Sequence, residues 1–592
     1  MKRLISLFLA VLMMLSLAAC GGSEPPADTG GSETPSAADG ENGSTTVSAD
    51  EWFYLAISDA ASLSPLGATE NEALLMGFSQ ATLYRKLPTA DGMGTELVPE
   101  LAAGAPVDVN GDGITWNIEI APEAKWHTDD PITAETFEFS MKMALDPKLP
   151  AAQVDLLAHS GITIKNARAY YTGQITDWSK VGVKAMEGNI LQITAERACI
   201  AEDVMRHFSG YWTAPVHEEL YTSGLSADGT STTYGTSKDL TGYSGPYAVT
   251  GRAPGYFLRL KRNPNYLHAE NFGFNNVQMY VAENPTVAAQ LFVRGEVDYV
   301  TLDSVHAEQF AQDPRMTAVP SRDIRMIDFG DMNTKQPILS NRNFRKAVYY
   351  GIDRQAVAAL MGALPAAYVV PSATKLGSTD VAFRNMPEAQ AYLPQNNGYD
   401  PDAAAAYLDK ALKEEGLASV EVKLLYNAGG NDRIIAEYLK EQFAAIFGGR
   451  LMLKLDPVPE SLYLFTREEW KTNPNAYEMA LSCTSFATWD HNPAEVFGVH
   501  TTDYANRSGV CPRHSDAINA LYARSVLAEN RKDTQKLAEL AMEMEKAFID
   551  EVVAVPIVED VTYVMCSEKV ETPFKTVDPA LGCGVHFGRF VQ

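Results

Sequence analysis

Several groups of residues in this 592-residue chain have types and spacings that could do chemistry. Asp108-Val-Asn110-Gly-Asp112-Gly113, closed five residues later by Glu119, matches the ligand spacing of a calcium loop. Such a loop sits between two helices, whereas Trp116–Ile120 alternates as a strand does, so a structural turn is expected there. Trp126-His127 and the isolated Cys511-Pro-Arg-His514 suggest metal or acid–base chemistry. However, the ten histidines are scattered and form no HExxH, so surface or capping roles are expected. Asp129-Asp130 pairs two carboxylates, but adjacent residues usually point apart, which favours a solvated turn over an acid/base couple. The large flat side chains of Tyr211, Trp212 and Trp489 could desolvate a ligand in a cleft, or pack between domains. Asn333 and Asn427, at expected strand ends, could offer amide hydrogen bonds to a ligand backbone, or cap their own loops. The chain has no GxSxG, no GxxxxGK[ST] and no GxGxxG opening a helix, so hydrolase and nucleotide chemistry lack their usual residues. No catalytic residue, metal site or cofactor is assigned.

The elements that must position these groups belong to a large soluble body. The length calls for two or three packed lobes, and 46% hydrophobic with 21% charged residues is ordinary for globular protein. A net charge of −27 repels phosphate backbones and anionic headgroups, which argues against nucleic-acid binding. Lys2 and Arg3 precede an apolar stretch from Leu4 to Leu17, the pattern of an export signal rather than a membrane span. It ends in Leu17-Ala18-Ala19-Cys20, which resembles the lipobox of bacterial lipoproteins and implies cleavage before Cys20 and lipidation of its sulfur; an ordinary signal with an incidental cysteine is the rival reading. Residues 21–49 carry one Val and no other large apolar side chain, so they are expected to form a flexible tether. The five cysteines beyond Cys20 cannot all pair, and none forms a CxxC; Cys483–Cys511 and Cys566–Cys583 remain open as bridges.

From Glu51 onward, short apolar runs alternate with helical patterns, as in α/β proteins. Strands are expected at Trp116–Ile120, Val420–Leu425, Leu451–Leu455 and Val552–Val558. Helices are expected at Ala134–Ala144, Asn343–Met361, Asp402–Glu415, Asp432–Phe447 and Ala517–Ile549, the last broken near Asn530.

Six segments resemble, in order, the extracellular solute-binding protein family 5, which serves peptide, nickel and related ABC importers. They are Leu97-Val-Pro-Glu-Leu-Ala through Asp146-Pro147, Gly245-Pro246-Tyr247, Leu260-Lys-Arg-Asn-Pro-Asn-Tyr266, Gly295-Glu-Val-Asp298, Asn333-Thr-Lys-Gln-Pro through Gly351-Ile-Asp-Arg354, and Tyr399-Asp400-Pro401. The resemblance implies an α/β, periplasmic-binding-protein-like fold of type II in its large cluster C form, with two α/β lobes and an additional domain. On that reading residues 1–19 are the signal and 20–50 the lipidated cysteine and linker. Lobe I is made of 51–96, 243–310 and 550–592, the additional domain of 97–242, and lobe II of 311–549. The implied protein is not an enzyme. It captures short peptides between its lobes as a monomer and hands them to the permease subunits of an ABC importer. It would be lipid-anchored at the cell surface, on the outer face of the bacterial cytoplasmic membrane.

Peptide binders of the family hold the peptide amine with a carboxylate in a W-x-A-D-Y-x-D/E-P loop. The corresponding loop here opens at Ser485 and ends at Pro493; aligned on that proline, the carboxylate position holds Trp489, and Asp490 stands one place later. Either Asp490 takes the amine or Trp489 stacks on something else. The second possibility keeps two rival cargoes open within the fold, a nickel chelate and an oligosaccharide, and a surface lipoprotein hydrolase is the rival from another class. Ser485, Trp489, Asp490, Asn333, Asn427, Tyr211 and Trp212 are the expected ligand contacts.

Overall fold

The computed structural model describes residues 51–591 apart from 91–94, 160, 331, 378, 380, 430, 460–461, 464–465, 468, 470–472, 486–491, 503–514 and 574–583. The organising element is one eleven-stranded sheet. Its strands in chain order are β1 (Trp52–Ile57), β2 (Tyr247–Ala253), β3 (Phe257–Arg262), β4 (Asn276–Val281), β5 (Tyr299–Leu302), β6 (Met316–Phe329), β7 (Leu364–Pro365), β8 (Val420–Asn427), β9 (Leu451–Val458), β10 (Met479–Ser485) and β11 (Val555–Cys566). They lie side by side as β9-β8-β10-β6-β11-β5-β1-β4-β3-β2, with β7 added on β11. In β1, Phe53 and Leu55 are fully buried while Trp52, Tyr54 and Ala56 take the other face, the period of two that a strand requires.

Two strands run through the middle of this sheet and serve both halves. Met316–Pro320 of β6 pairs with Val561–Met565 of β11, on the side of β5 and β1. Beyond a register shift, Ile324–Ile327 pairs with Val555–Glu559, on the side of β10 and β8. Between the two registers Arg322 adopts the left-handed conformation, at φ 65°, and is fully buried. A break of this kind bends a strand pair and concentrates its twist at one place.

The cores show which parts pack together. One cluster runs without interruption from Phe53 and Leu258 of the large sheet to Trp116, Phe137, Leu191 and Val204. The latter belong to the segment expected to be an additional domain. There a four-stranded sheet (Val107–Asp108, Thr115–Glu119, Ile190–Thr194, Val183–Met186) supports the helix Ala134–Ala144. The additional segment and the first half therefore share one core. Within the first half, Gly245 packs on the helix end at Ser79 and Gln80: a Cβ there would stand 2.5 to 2.7 Å from their backbone, so only glycine fits. Among the described residues the second half has clusters around Phe344, Leu439 and Phe443, around Ile324, Phe497 and Phe548, and a small one around Leu425, Tyr463, Tyr477 and Ala480.

Helices Pro401–Glu415, Asp432–Phe447 and Ala134–Ala144 lie where the periodicity puts them. The single helix expected over Asn343–Met361 is two, Arg342–Tyr350 and Arg354–Met361, because Asp353 turns its carboxylate to the Ala356 N–H and caps a new start. Ala517–Ile549 divides into Asp516–Ser525, Ala528–Arg531 and Thr534–Glu551. Val552 is not in a strand: at φ 50° it closes the preceding helix, and β11 begins at Val555. No helix among the described residues is long and apolar enough to cross a membrane.

Candidate functional site

Where β6, β10 and β11 meet, the sequence has placed charges inside apolar strands. Arg325 stands opposite Cys483 and Asp323 opposite Ser485 on β10. The Arg325 Nε donates to both carboxylate oxygens of Asp560 on β11, at 2.9 and 2.8 Å, and its Nη1 donates to Asp432 at the start of the helix Asp432–Phe447. Burial pushes the Asp432 carboxyl above its ordinary range, against the pull of Arg325 and a hydrogen bond from the Asn427 backbone. Cys483, on β10, is exposed to solvent. Burial pushes its thiol well up, against the pull of Arg325, so it stays a neutral thiol rather than a nucleophile. Behind the cluster Arg467 Nη2 donates to Asp328 at 2.9 Å, both buried, and the Tyr463 hydroxyl is buried without a hydrogen-bond partner.

The halves also touch away from these strands. Arg531, on the short helix Ala528–Arg531 of the second half, donates through Nε to Asp203 Oδ2 at 2.6 Å and through Nη2 to Asp203 Oδ1 at 2.5 Å. Its Nη1 donates to Glu495, whose other oxygen accepts from the Tyr522 hydroxyl at 2.9 Å. Burial would raise the Glu495 carboxyl, but Arg531 outweighs it and holds it below the usual range. Asp203 belongs to the helix Ala201–His207, which packs through Val204 into the core shared by the first half and the additional segment. The core around Phe53 and Leu258 and the cores around Phe344 and Phe497 are thus linked through β6 and β11 and through the Arg531–Asp203 bridge.

Of the expected ligand contacts, two lie at this junction. Ser485 is exposed at the end of β10, and Asn427 ends β8 beside Asp432. Asn333 is buried and spends its side chain locally: Nδ2 donates to the Tyr477 carbonyl at 3.0 Å, and Oδ1 accepts from Lys335 and Gln336. Tyr211 and Trp212 stack edge to face, 5.3 Å apart, against the shared core rather than beside Arg325. Trp489, Asp490, Cys511, Cys583 and Cys20 lie outside the described residues. Asp108 is a turn residue, its carboxylate accepting the N–H groups of Gly111 and Gly113 at 3.0 and 2.7 Å, while Glu119 is exposed at the end of its strand. His127 has its pKa lowered, by burial first and then by His217, and its Nδ1 accepts from the Tyr243 N–H. Asp130 and Asp129 bond separately, to Thr128 and Lys125. Two cavities, about 300 Å³ beside Trp52, Tyr54 and Tyr280 and about 200 Å³ beside Tyr349, Tyr350 and Tyr392, are each lined by one half alone. Arg325, Asp432 and Asp560 were not singled out from the sequence. The signal available was a charge inside an apolar strand run, as in Ile324-Arg325-Met326 and Val558-Glu559-Asp560.

Comparison with known proteins gives a family match, to the bacterial extracellular solute-binding proteins, family 5 Middle, over residues 96–506. The dipeptide-binding protein of Lactococcus lactis is 25% identical over 337 residues, 55% of this chain, and the match spans 58% of that relative's length. The oligopeptide-binding protein OppA of Bacillus subtilis is 24% identical over 474 residues, covering 78% of this chain and 79% of that one. The substrate-binding domain of an oligopeptide ABC transporter from Bacillus anthracis superposes with a TM-score of 0.68, at 19% identity, over 91% of this chain and 99% of its own; it shares the fold.

Proposed function

Because the chain belongs to the bacterial extracellular solute-binding proteins of family 5, we propose that it captures short peptides between its two lobes and delivers them, chemically unaltered, to the permease subunits of an ABC importer. The family is one of transporter binding proteins rather than enzymes. The observation that carries the reading is the junction itself. Two strands pair through a register break, and beside them an exposed strand face offers Cys483, Ser485 and a charged cluster. Such a site works by differential affinity, since closing about a ligand must gain more contact than it costs in ordering. Ser485 and Asn427 are the described candidates for bonding a ligand backbone, and either Asp490 takes a peptide amine or Trp489 stacks on the cargo. Curated relatives named for peptides favour this cargo over a nickel chelate or an oligosaccharide.

The accompanying reading is of a monomer tethered to the outer face of the cytoplasmic membrane through a lipid on Cys20. Thermal-shift screening with peptide, sugar and metal-chelate libraries tests the cargo, because a ligand at about 100 times its Kd stabilises by about 2.7 kcal/mol. A shift with oligosaccharides and none with peptides overturns the assignment. Cys20→Ala is expected to release the protein into the medium, and retention at the membrane counts against the anchor.

A further inference from the structure

Away from the junction, the cavity of about 300 Å³ in the first half is assembled from segments far apart in the chain. Trp52 and Tyr54 stand two residues apart on β1 and so share one face of the sheet. Tyr280 joins them from β4, where it pairs opposite Ala56. The Tyr54 and Tyr280 rings lie 23° from parallel with centroids 6.0 Å apart, and all three rings are partly buried, so they offer flat apolar surface to whatever enters. Among the polar lining residues Asp298 is buried and spends its carboxylate on the frame: Oδ2 accepts the Tyr54 N–H at 3.1 Å and Oδ1 accepts the Ser567 hydroxyl at 3.0 Å. Glu51, Glu296 and Lys569 are exposed and form the rim.

The charges decide which ligand chemistry suits this cavity. Its three carboxylates are answered by three cations: Lys569 in the lining, Arg294, whose Nε donates to Glu296 at 2.6 Å, and Arg259, which lies over the Trp52 ring at 5.9 Å. A cationic ligand would meet Lys569 and an indole already paired with Arg259, and an anion would meet the carboxylates. A wholly apolar ligand would strip water from Glu51, Glu296 and Lys569 without giving them partners. The remaining class is a neutral molecule with a C–H face for the rings and hydroxyls at its edge for the rim, and a pyranose has both. The volume stands at the low end of the roughly 300–1,000 Å³ of ligand pockets, which suits one or two sugar rings.

We propose that Trp52, Tyr54 and Tyr280, with Glu51, Glu296 and Lys569 at the rim, form a saccharide-binding site separate from the junction. It takes a neutral mono- or disaccharide unit, either free or at the end of a glycan. The site goes beyond peptide capture and does not depend on it.

Saturation-transfer NMR of the purified protein, titrated with cellobiose and with N,N′-diacetylchitobiose, tests this. Transfer to the ring protons of at least one sugar is expected. Trp52→Ala should weaken binding roughly ten-fold through the lost stacking surface. Glu296→Gln should weaken it about three-fold, and because that side chain is exposed the test stands even if Trp52→Ala folds poorly. No transfer to either sugar overturns the site, as does a response to tetramethylammonium chloride with none to the sugars. Transfer that survives both substitutions, or that a saturating peptide abolishes, places the sugar elsewhere and also overturns it. Co-sedimentation with purified cell-wall sacculi, lost in Trp52→Ala, upholds the site with a wall glycan as the source; binding of the soluble sugar alone upholds it with a free saccharide. If no peptide binds while a sugar binds through Trp52, the cargo reading falls and this site remains.

Discussion

Asp203→Asn tests whether the bridge to Arg531 holds the lobes shut. In the wild type Arg531 is 8% exposed and grips Asp203 through two hydrogen bonds of 2.6 and 2.5 Å, while its third nitrogen faces Glu495. Removing one partner of a buried ion pair typically costs about 3–5 kcal/mol, because the other charge is left dry and unpaired. Asparagine is gentler, since it keeps a hydrogen-bonding shape and leaves Arg531 with Glu495, so about 1–2 kcal/mol is expected. The cost falls on the closed state, because opening returns both groups to water. The closed fraction and the apparent affinity for cargo should therefore drop roughly 5- to 30-fold, although Asp203 touches no ligand in this reading. Arg531→Gln should cost more, because it strands Asp203 and Glu495 together. Small-angle scattering of the free and peptide-saturated protein measures the opening, and calorimetry measures the affinity. A double-substitution cycle on Asp203 and Arg531 gives their coupling directly. An unchanged radius of gyration together with an affinity within two-fold of wild type would refute a latch, and the bridge would then be packing between bodies that do not part.

Two further outcomes follow from groups buried away from the junction. Glu545 is fully buried, ion-paired with Arg384, and accepts the N–H groups of Val369 and Val370 at 2.8 and 2.9 Å; Glu545→Ala should lower lobe II stability by about 3–5 kcal/mol, read as a lower urea midpoint. His500 and His586 are held neutral by burial, each with its pKa lowered to about 3, so between pH 6.5 and 3 the unfolded chain binds protons that the folded one refuses. Stability is then complete above pH 6.5 and falls as the pH drops through that window, by about 3 kcal/mol per ring at pH 4, and His500→Leu should flatten the melting-temperature profile over pH 4–7.

The helices were legible because each has its apolar stripe and its stop. Asp432–Phe447 ends at Gly448 in the left-handed conformation, and Pro401–Glu415 ends the same way at Gly416. The pair of central strands was not. In β11 an apolar run is interrupted by Glu559 and Asp560, so the period-two signal stops where its pairing with β6 changes register. The same interruption hid the charged cluster. Arg325 lies 107 residues from Asp432 and 235 from Asp560, and no local spacing announces a site that only the sheet order assembles. Ser485 and Asn427 were within reach as candidate contacts because strand ends are where a cleft in such a sheet would be lined. Asn333 shared that signal and is a loop cap, because its two carbonyl-side neighbours, Lys335 and Gln336, have N–H groups that need an acceptor.

The bridge between Arg531 and Asp203 is limited in what it can accomplish. Driving a two-state protein from 1:99 to 99:1 takes about 5.5 kcal/mol of differential free energy. A bridge worth about 1–2 kcal/mol cannot do this alone, and should not, since a trap that closes empty binds nothing. An apolar interface of similar extent would be the wrong instrument, because its stabilisation grows with area and does not depend on what occupies the site. Three charged side chains that are well hydrated when the lobes part give a small bias instead, and leave the remainder to be supplied by cargo. With Val204 packed into the core that Phe53 and Leu258 share, Asp203 is tied to that part of the sheet. An Asp203 substitution should therefore change how long cargo stays without changing which cargo is chosen.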